Sequence, residues 1–192
     1  MSDEKDINYL ESYVVVEGRK YLNEEDVPYY LPNDEEEFDR ENIQHNIFRY
    51  VWQGNFSSKI KERLIKGNTK VIDLGCGTGQ WLIDMSLKYP LSTFVGIDIA
   101  PITHHSQENK PDNVAFLKHN LLDGIPFPDE TFDFVYQKEV PFKVESGWTY
   151  NIDEIVRVTN LNGCIEFMNV DLYKITYEGP IMNKLHSSCM FC

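Results

Sequence analysis

A chain of 192 residues, 42% of them apolar, is long enough to bury one sizeable core. Its formal net charge of −13 argues against direct nucleic-acid binding, which rests on Lys and Arg neutralising phosphates. No apolar run approaches the roughly 18 residues of a membrane span, and the acidic start Met1-Ser2-Asp3-Glu4 is unlike a signal peptide, so no membrane association and a cytoplasmic or nuclear location are expected.

The acidity is uneven. Residues 1–41 hold 14 acids and 4 bases, so the charge belongs mostly to an N-terminal arm, taken as residues 1–37. This arm reads as irregular and solvated, with turn signals at Pro28, Pro32 and Asn33-Asp34. Residues 38–192 read as one domain. A helix is predicted from Phe38 to Gln53, with Ile43, Ile47, Tyr50 and Val51 near one face. Ser57 or Ser58 is expected to cap a second short helix, Lys59 to Lys66, stopped by Gly67-Asn68.

Strand and helix then alternate. Strand 1 is predicted at Lys70–Leu74 and a helix at Gln80–Tyr89, ended by Pro90. Strand 2 is Thr93–Asp98, residues 101–110 are a weak helix or loop, strand 3 is Val114–Lys118, and strand 4 is Phe132–Gln137. A helix follows at Tyr150–Asn160, with Ile152, Ile155, Val156 and Val158 available to pack. Asn162-Gly163 turns into strand 5, Cys164–Val170. This alternation predicts an α/β fold, a parallel sheet with helices on both faces.

The sharpest local signal is Lys70-Val71-Ile72-Asp73-Leu74-Gly75-Cys76-Gly77-Thr78-Gly79. A short strand carrying one acid breaks into glycines at alternate positions, and a helix starts at once. Strand, glycine turn and helix together make a nucleotide-type cofactor site at the carboxyl edge of a parallel sheet. A dinucleotide turn spaces its glycines G-x-G-x-x-G; here the spacing is G-x-G-x-G, which disfavours a nicotinamide-dependent oxidoreductase. Without a pyrophosphate to cradle, the turn can wrap a nucleoside bearing an amino-acid tail. Asp98 ends strand 2, where a carboxylate can accept both ribose hydroxyls. After strand 3, the Asn120 side chain is placed to meet an adenine amino group and the Leu121 N–H a ring nitrogen.

Cys76, Cys164, Cys189 and Cys192 do not form a disulfide framework. The tail His186-x-x-Cys189-x-x-Cys192 offers three ligands and no second cluster to close a tetrahedron, so no metal is expected.

In this order, these pieces resemble the class I S-adenosylmethionine (SAM)-dependent methyltransferases, over roughly residues 45–170. Val71 to Gly79 looks like their first motif and Gly96-Ile97-Asp98 like their acidic second strand. Ile125-Pro126-Phe127-Pro128-Asp129-Glu130-Thr131-Phe132-Asp133-Phe134-Val135 looks like their approach to strand 4, and Leu161-Asn162-Gly163-Cys164-Ile165-Glu166-Phe167 like their turn into strand 5. Upstream, Tyr30-Leu31-Pro32-Asn33-Asp34-Glu35-Glu36-Glu37-Phe38-Asp39-Arg40, with His45 and Gly54-Asn55-Phe56, is similar to a fungal methyltransferase-domain family that includes regulators of secondary metabolism.

The resemblance implies a Rossmann-like sheet of order 3-2-1-4-5 and SAM as cofactor. It places Gly75, Cys76, Gly77 and Gly79 against the methionine portion, with Asp73 ordering the turn or meeting the amino group. Asp98 and Ile99 would lie at the ribose, Asn120 and Leu121 at the adenine, and Gln137 at the methyl-transfer site. The class usually has Asp where this chain has Asn120, which accepts through its carbonyl without a charge. Asp34–Arg40 would pack beside the cofactor mouth. The acceptor would be a small molecule or a protein. No catalytic base stands out; His104, His105 and Glu139 are the candidates near strand ends. The class continues past strand 5 with a hairpin of strands 6 and 7, for which the residues after Val170 are too few. The sheet is therefore expected to stop at five strands, with a partner or a second copy covering strand 5, or the chain to be a truncated piece. A scaffold that keeps the fold without catalysis is the alternative reading.

Overall fold

The computed structural model describes residues 13–23, 30–101, 110–140 and 145–170. It begins with a hairpin absent from the sequence reading: β1 (Tyr13–Val16) pairs antiparallel with β2 (Arg19–Leu22). Val16 faces Arg19, leaving Glu17 and Gly18 as a two-residue loop with φ of 50° and 81°. Positive φ at both positions is what a type I′ turn requires. Glu-Gly is a weaker signal than Asn-Gly, and Val14, Val15 and Val16 show no apolar–polar alternation because all are exposed.

The first helix, α1 (Glu35–Val51), starts three residues before the predicted Phe38 because Asp34 caps it. The Asp34 carboxylate accepts the Glu37 N–H at 3.1 Å and both arms of the Arg19 guanidinium at 2.7 and 2.9 Å. The arm is thus tied to the domain through β2, and Arg19 holds the Asp34 carboxyl well below the usual range. Asp34→Ala is expected to lower stability by about 1 kcal/mol, read as an earlier urea midpoint at unchanged slope.

The apolar stripe of α1 does not face the core. Ile43, Ile47, Tyr50 and Val51 are exposed, while Glu37 and His45 are buried. The reason lies in α3 (Gln80–Lys88): its Asp84 takes hydrogen bonds from His45 (3.1 Å) and Arg49 (2.6 Å), turning the polar face of α1 inward. Asp84 is held below the ordinary carboxylate range first by His45 and then by Gln80.

Between them, α2 (Lys61–Lys66) has Ile60 at its N-cap and no side-chain cap. Ser57 and Ser58 do not cap it, contrary to expectation; their backbone N–H groups donate to the Glu166 carboxylate at 2.8–3.1 Å.

The sheet consists of β3 (Lys70–Leu74), β4 (Thr93–Asp98), β5 (Val114–Lys118), β6 (Phe132–Lys138) and β7 (Thr159–Met168). All neighbours are parallel and the order is β5-β4-β3-β6-β7, the expected 3-2-1-4-5. The fifth strand starts at Thr159 rather than Cys164. Thr159 pairs with Phe132 and Cys164 with Phe134, so the predicted Asn162-Gly163 turn is absorbed as an irregularity within the strand. The preceding helix, α4 (Glu145–Val158), starts and ends earlier than predicted and buries Ile155 and Val158, while Ile152 and Val156 stay exposed.

Alternate residues of β3 enter opposite cores, as period-2 pleating requires. Val71 joins Ile60, Leu64, Trp81, Leu82 and Met85 under α2 and α3; Ile72 and Leu74 join Ile155 and Val158 under α4. Trp81 stacks on Tyr136 (4.1 Å, 3° between planes) and donates its indole N–H to the Asn55 carbonyl at 2.7 Å. The start of α3, immediately after the glycine turn, is therefore pinned to β6.

Among the described residues no helix is long and apolar enough to cross a membrane, and no cluster of His, Cys, Asp and Glu could hold a metal ion. Also among them, β7 pairs with β6 alone. The expectations for His104, His105, the 101–110 segment, the tail with His186, Cys189 and Cys192, and any cover or hairpin beyond strand 5 fall largely or wholly outside the described residues.

Candidate functional site

The carboxyl ends of β3, β4 and β6 meet around one turn. Leu74 is level with Ile97 on one side and Gln137 on the other, so the glycine run leaves the sheet between Asp98 and Gln137. Gly75, Gly77 and Gly79 have φ of 71°, 53° and 75°, a conformation that side chains rarely adopt. A Cβ added at Gly77 would stand 2.8 Å from the Glu41 carboxylate, and one at Gly75 would strike Val140. The glycines are thus also required by what packs on them.

The fate of the turn's amides decides what it can bind. The N–H groups of Gly75 and Cys76 both donate to the Ile97 carbonyl, at 2.8 and 3.0 Å. Gly77 donates to Asp98 Oδ2 at 2.8 Å, Thr78 to Glu41 Oε2 at 3.3 Å, and Gly79 to the Cys76 carbonyl at 2.9 Å. Every amide of the turn already has a protein acceptor, two of them carboxylates. A phosphate would find no donors here and would meet negative charge. Beyond the turn, Gly79 offers α3 no side-chain cap. The orphan amides of that first turn are where an anionic group would fit.

The acids carry the opposite preference. Asp73 is 3% exposed, and burial pushes its carboxyl up to about 7, with Lys138 pulling it back and Asp98 adding to the rise. Asp98 is half-buried and also raised by burial, although the N–H groups of Ala100 and Gly77 hydrogen-bond it and draw it back down. Desolvation and these charges push the Cys76 thiol up, so it is no thiolate nucleophile. Carboxyls held in such surroundings suit a ligand that brings positive charge and hydroxyl donors. These features fit a nucleoside with an amino-acid tail and a cationic sulfur.

The other predicted residues are placed less simply. Asn120 is half-buried, but its side-chain carbonyl accepts the Leu122 N–H at 3.0 Å and caps a short 3₁₀ turn, Leu121–Asp123. An Asn before such a turn satisfies its own backbone first; its NH₂ remains for a ligand, whereas the sequence reading called on its carbonyl. Leu121 is buried in the α4-side core. Ile99 follows Asp98 and is half-buried. Gln137 lies within β6, not past it, and is 2% exposed; its carbonyl accepts from Asn151 of α4 at 2.8 Å. Glu139 accepts from Gln44 at 2.8 Å.

α1 supplies residues that sequence reasoning missed: Glu41 and Asn42, whose carbonyl takes the Thr78 hydroxyl at 2.9 Å. The signal that could have found them is the run of acids continuing from Asp34 through Glu41, within a segment already expected to lie near the cofactor mouth.

Comparisons with known proteins agree with this geometry. The family model described as "Methyltransferase domain" matches residues 65–188. The secondary metabolism regulator laeA of Aspergillus niger is 40% identical over 103 residues, covering 52% of this chain and 25% of that protein. The protein-methionine methyltransferase laeA of Emericella nidulans is 38% identical over 103 residues, with the same coverage of 52% and 25%. This chain therefore spans about a quarter of the length of these relatives. Among solved structures, the plantazolicin methyltransferase BpumL in complex with a monoazolic desmethylPZN analog and SAH superposes with a TM-score of 0.56 at 17% identity, covering 70% of this chain and 51% of that one; at this identity the likeness speaks to the fold. With the turn, the acidic strand ends and the family model all in agreement, the chain belongs to the methyltransferase-domain family, as a class I SAM-dependent member related to the fungal laeA proteins.

Proposed function

We propose that this protein transfers a methyl group from SAM to a nucleophilic acceptor, with the cofactor seated on the Gly75–Gly79 turn. The observation that carries the reading is the turn itself: its amides are engaged and its rim is carboxylic, so it favours a cationic amino-acid tail over a phosphate. When bound, SAM supplies a methyl group already activated on a sulfonium sulfur.

The chain's own residues then bind and align. Asp98 holds the ribose hydroxyls on its remaining lone pairs, while its hydrogen bonds to the Gly77 and Ala100 N–H groups fix the carboxylate plane. The uncapped first turn of α3 receives the tail carboxylate. The Asn120 NH₂ and the Leu121 N–H border the adenine, and Gln137, locked by Asn151, backs the transfer site. Alignment supplies much of the rate in such a displacement, up to about 7–11 kcal/mol. A base is needed only where the acceptor carries a proton. A thioether carries none, and the Emericella relative is named for methionine methylation. That supports a protein thioether as the first acceptor to test, ahead of small molecules.

Calorimetric titration of the full chain with SAM is expected to show saturable binding, and incubation with labelled SAM and Met-containing peptides is expected to give steady label transfer. No heat at millimolar cofactor would reject the seat on the turn. Binding without turnover on any thioether, amine or phenol acceptor would reject catalysis by this chain.

A further inference from the structure

A helix that packs on a core normally turns its apolar stripe inward. α1 does the reverse. Its polar side is held by Asp84 and Thr78, and its outer side carries Ile43 (62% exposed), Ile47 (54%) and Tyr50 (78%) in one row at four- and three-residue spacing. Val51 and Trp52 extend the patch at the helix end, both more than half exposed. Beside them lies an open groove of about 760 Å³, lined by Tyr50, Gln53, Leu87 and Lys88 among others. Contiguous exposed apolar surface of this kind marks an interaction site. The two ends of the surface differ in charge. The first turn of α1 is acidic, with Glu35 and Glu36 exposed and Asp39 exposed one turn on. At the groove end Lys88 is exposed, 5.7 Å from the centre of the Tyr89 ring, while Arg49 is already engaged by Asp84. Glu35, Asp39, Asn46, Tyr50 and Gln53 follow one another at helical spacings of three, four and seven, so the acids and the groove share one flank of α1.

We propose that a second copy of this chain covers this surface, the two α1 helices lying antiparallel across a two-fold axis between Ile43 and Ile47. A two-fold interface is isologous, so one patch must complement itself. An antiparallel pair does so here. It sets Ile43 against the partner's Ile47, and the reverse, at the centre. It also lays each flank of α1 beside the same flank of the other copy, running the opposite way. The acidic first turn of one helix then meets the groove and Lys88 of the other, at both ends. Apolar side chains are closed off in the middle and opposite charges meet at the rims, the anatomy of a specific interface. A parallel pair would set acid against acid and Lys88 against Lys88. The match of the surface to itself favours a second copy over an unrelated partner. With a net charge of −13 on each chain, two copies repel at random approach, so pairing is confined to the orientation that brings unlike ends together. The inner side of α1 keeps its contacts with Asp84 and Thr78, so the pairing does not depend on what occupies the glycine turn.

Sedimentation equilibrium of the full chain tests this. One helix face and a groove make a small interface, so a monomer–dimer equilibrium with a dissociation constant on the order of tens of micromolar is expected, weakened severalfold between about 0.05 and about 0.5 M salt. Ile47→Asp puts a carboxylate into the apolar centre and is expected to weaken pairing at least about tenfold. Its thermal unfolding should match wild type at low concentration, because Ile47 is already exposed in the single chain. Glu35→Lys with Asp39→Lys, and separately Lys88→Glu, set like charges at both rims, and each is expected to weaken self-association about fivefold or more. An equimolar mixture of these two variants regains unlike charges at both rims and is expected to form a mixed dimer of about wild-type strength. Wild type that stays monomeric up to about 500 μM overturns the proposal and leaves the face to a different partner. A dimer that survives Ile47→Asp also overturns it, since the contact then lies elsewhere, as on the open side of β7. So does a mixture of the charge variants that associates no better than either alone.

Discussion

Asp98→Ala is expected to weaken SAM binding at least about thirtyfold, the largest single loss in the cofactor site. On the proposed reading the substitution removes the acceptors of the ribose hydroxyls, and losing hydrogen bonds to a charged group costs about 2 kcal/mol or more. It also releases the Gly77 N–H (2.8 Å) and the Ala100 N–H (2.9 Å), so the turn loses the anchor that joins it to the end of β4. Asp98→Asn separates the two effects. It retains one carbonyl for the Gly77 N–H but removes the charge and one acceptor, so an intermediate loss is expected. Calorimetric titration of wild type and both variants measures the series. Wild-type affinity in Asp98→Ala would show that the ribose lies elsewhere.

The second large effect is on stability and has the opposite sign. Asp73→Asn is expected to stabilise the protein at pH 8 by on the order of 4 kcal/mol and to weaken SAM binding severalfold. Burial holds the Asp73 carboxyl at about 7, against its ordinary value of 3.8. Each tenfold change in proton affinity corresponds to about 1.36 kcal/mol. Below pH 3.8 the carboxyl is protonated in both the folded and unfolded chain, and stability is highest as far as this group is concerned. As pH rises through the window from 3.8 to about 7, the unfolded chain releases its proton first and stability falls; above about 7 the full penalty is present. Asparagine has no proton to release, so the variant's advantage should appear across that window and be small at pH 4. Asp98 and Glu41 are raised in the same direction, so wild-type stability should also fall with pH through their windows; that contribution is shared by the variant, apart from the Asp73–Asp98 repulsion that the substitution removes. Chemical denaturation at pH 4, 6 and 8 reads the difference. Equal stability at all three values would mean that Asp73 is not desolvated; a stabilised variant with unchanged SAM affinity would mean that the strained carboxyl serves no binding role. A buried carboxyl kept at such a cost at the mouth of a cofactor turn is the pattern expected of a functional group.

These two acids were legible in the sequence because each ends a short apolar strand, and strand ends in a parallel sheet converge on one edge. The glycine spacing was legible for the same local reason: backbone conformation at Gly75, Gly77 and Gly79 depends on residues within the turn. Asn120 was found, but its first obligation was not, because a cap on Leu121–Asp123 depends on where the chain turns next. Glu41 was invisible as a site residue. Its role arises from a contact 37 residues away in the chain, and a charged residue on a helix reads as solvated until the helix is placed.

The face of α1 shows the same limit. The sequence by itself determined that residues 35–51 form a helix with an apolar stripe, since a 3.6-residue period is a property of the chain alone. It did not determine which side turns inward. Asp84 on α3 and the Thr78 end of the glycine turn bind the polar side of α1, and Ile43, Ile47, Tyr50 and Val51 are left exposed. The acidic strand ends follow from local pattern, whereas the order of the sheet came from the resemblance to the methyltransferase class, since crossover handedness alone does not fix which strands are neighbours. The contact of Glu41 with the glycine turn, and the inward polar face of α1, were decided only by tertiary packing, because both depend on which distant side chains share the low-dielectric space at the carboxyl edge of the sheet.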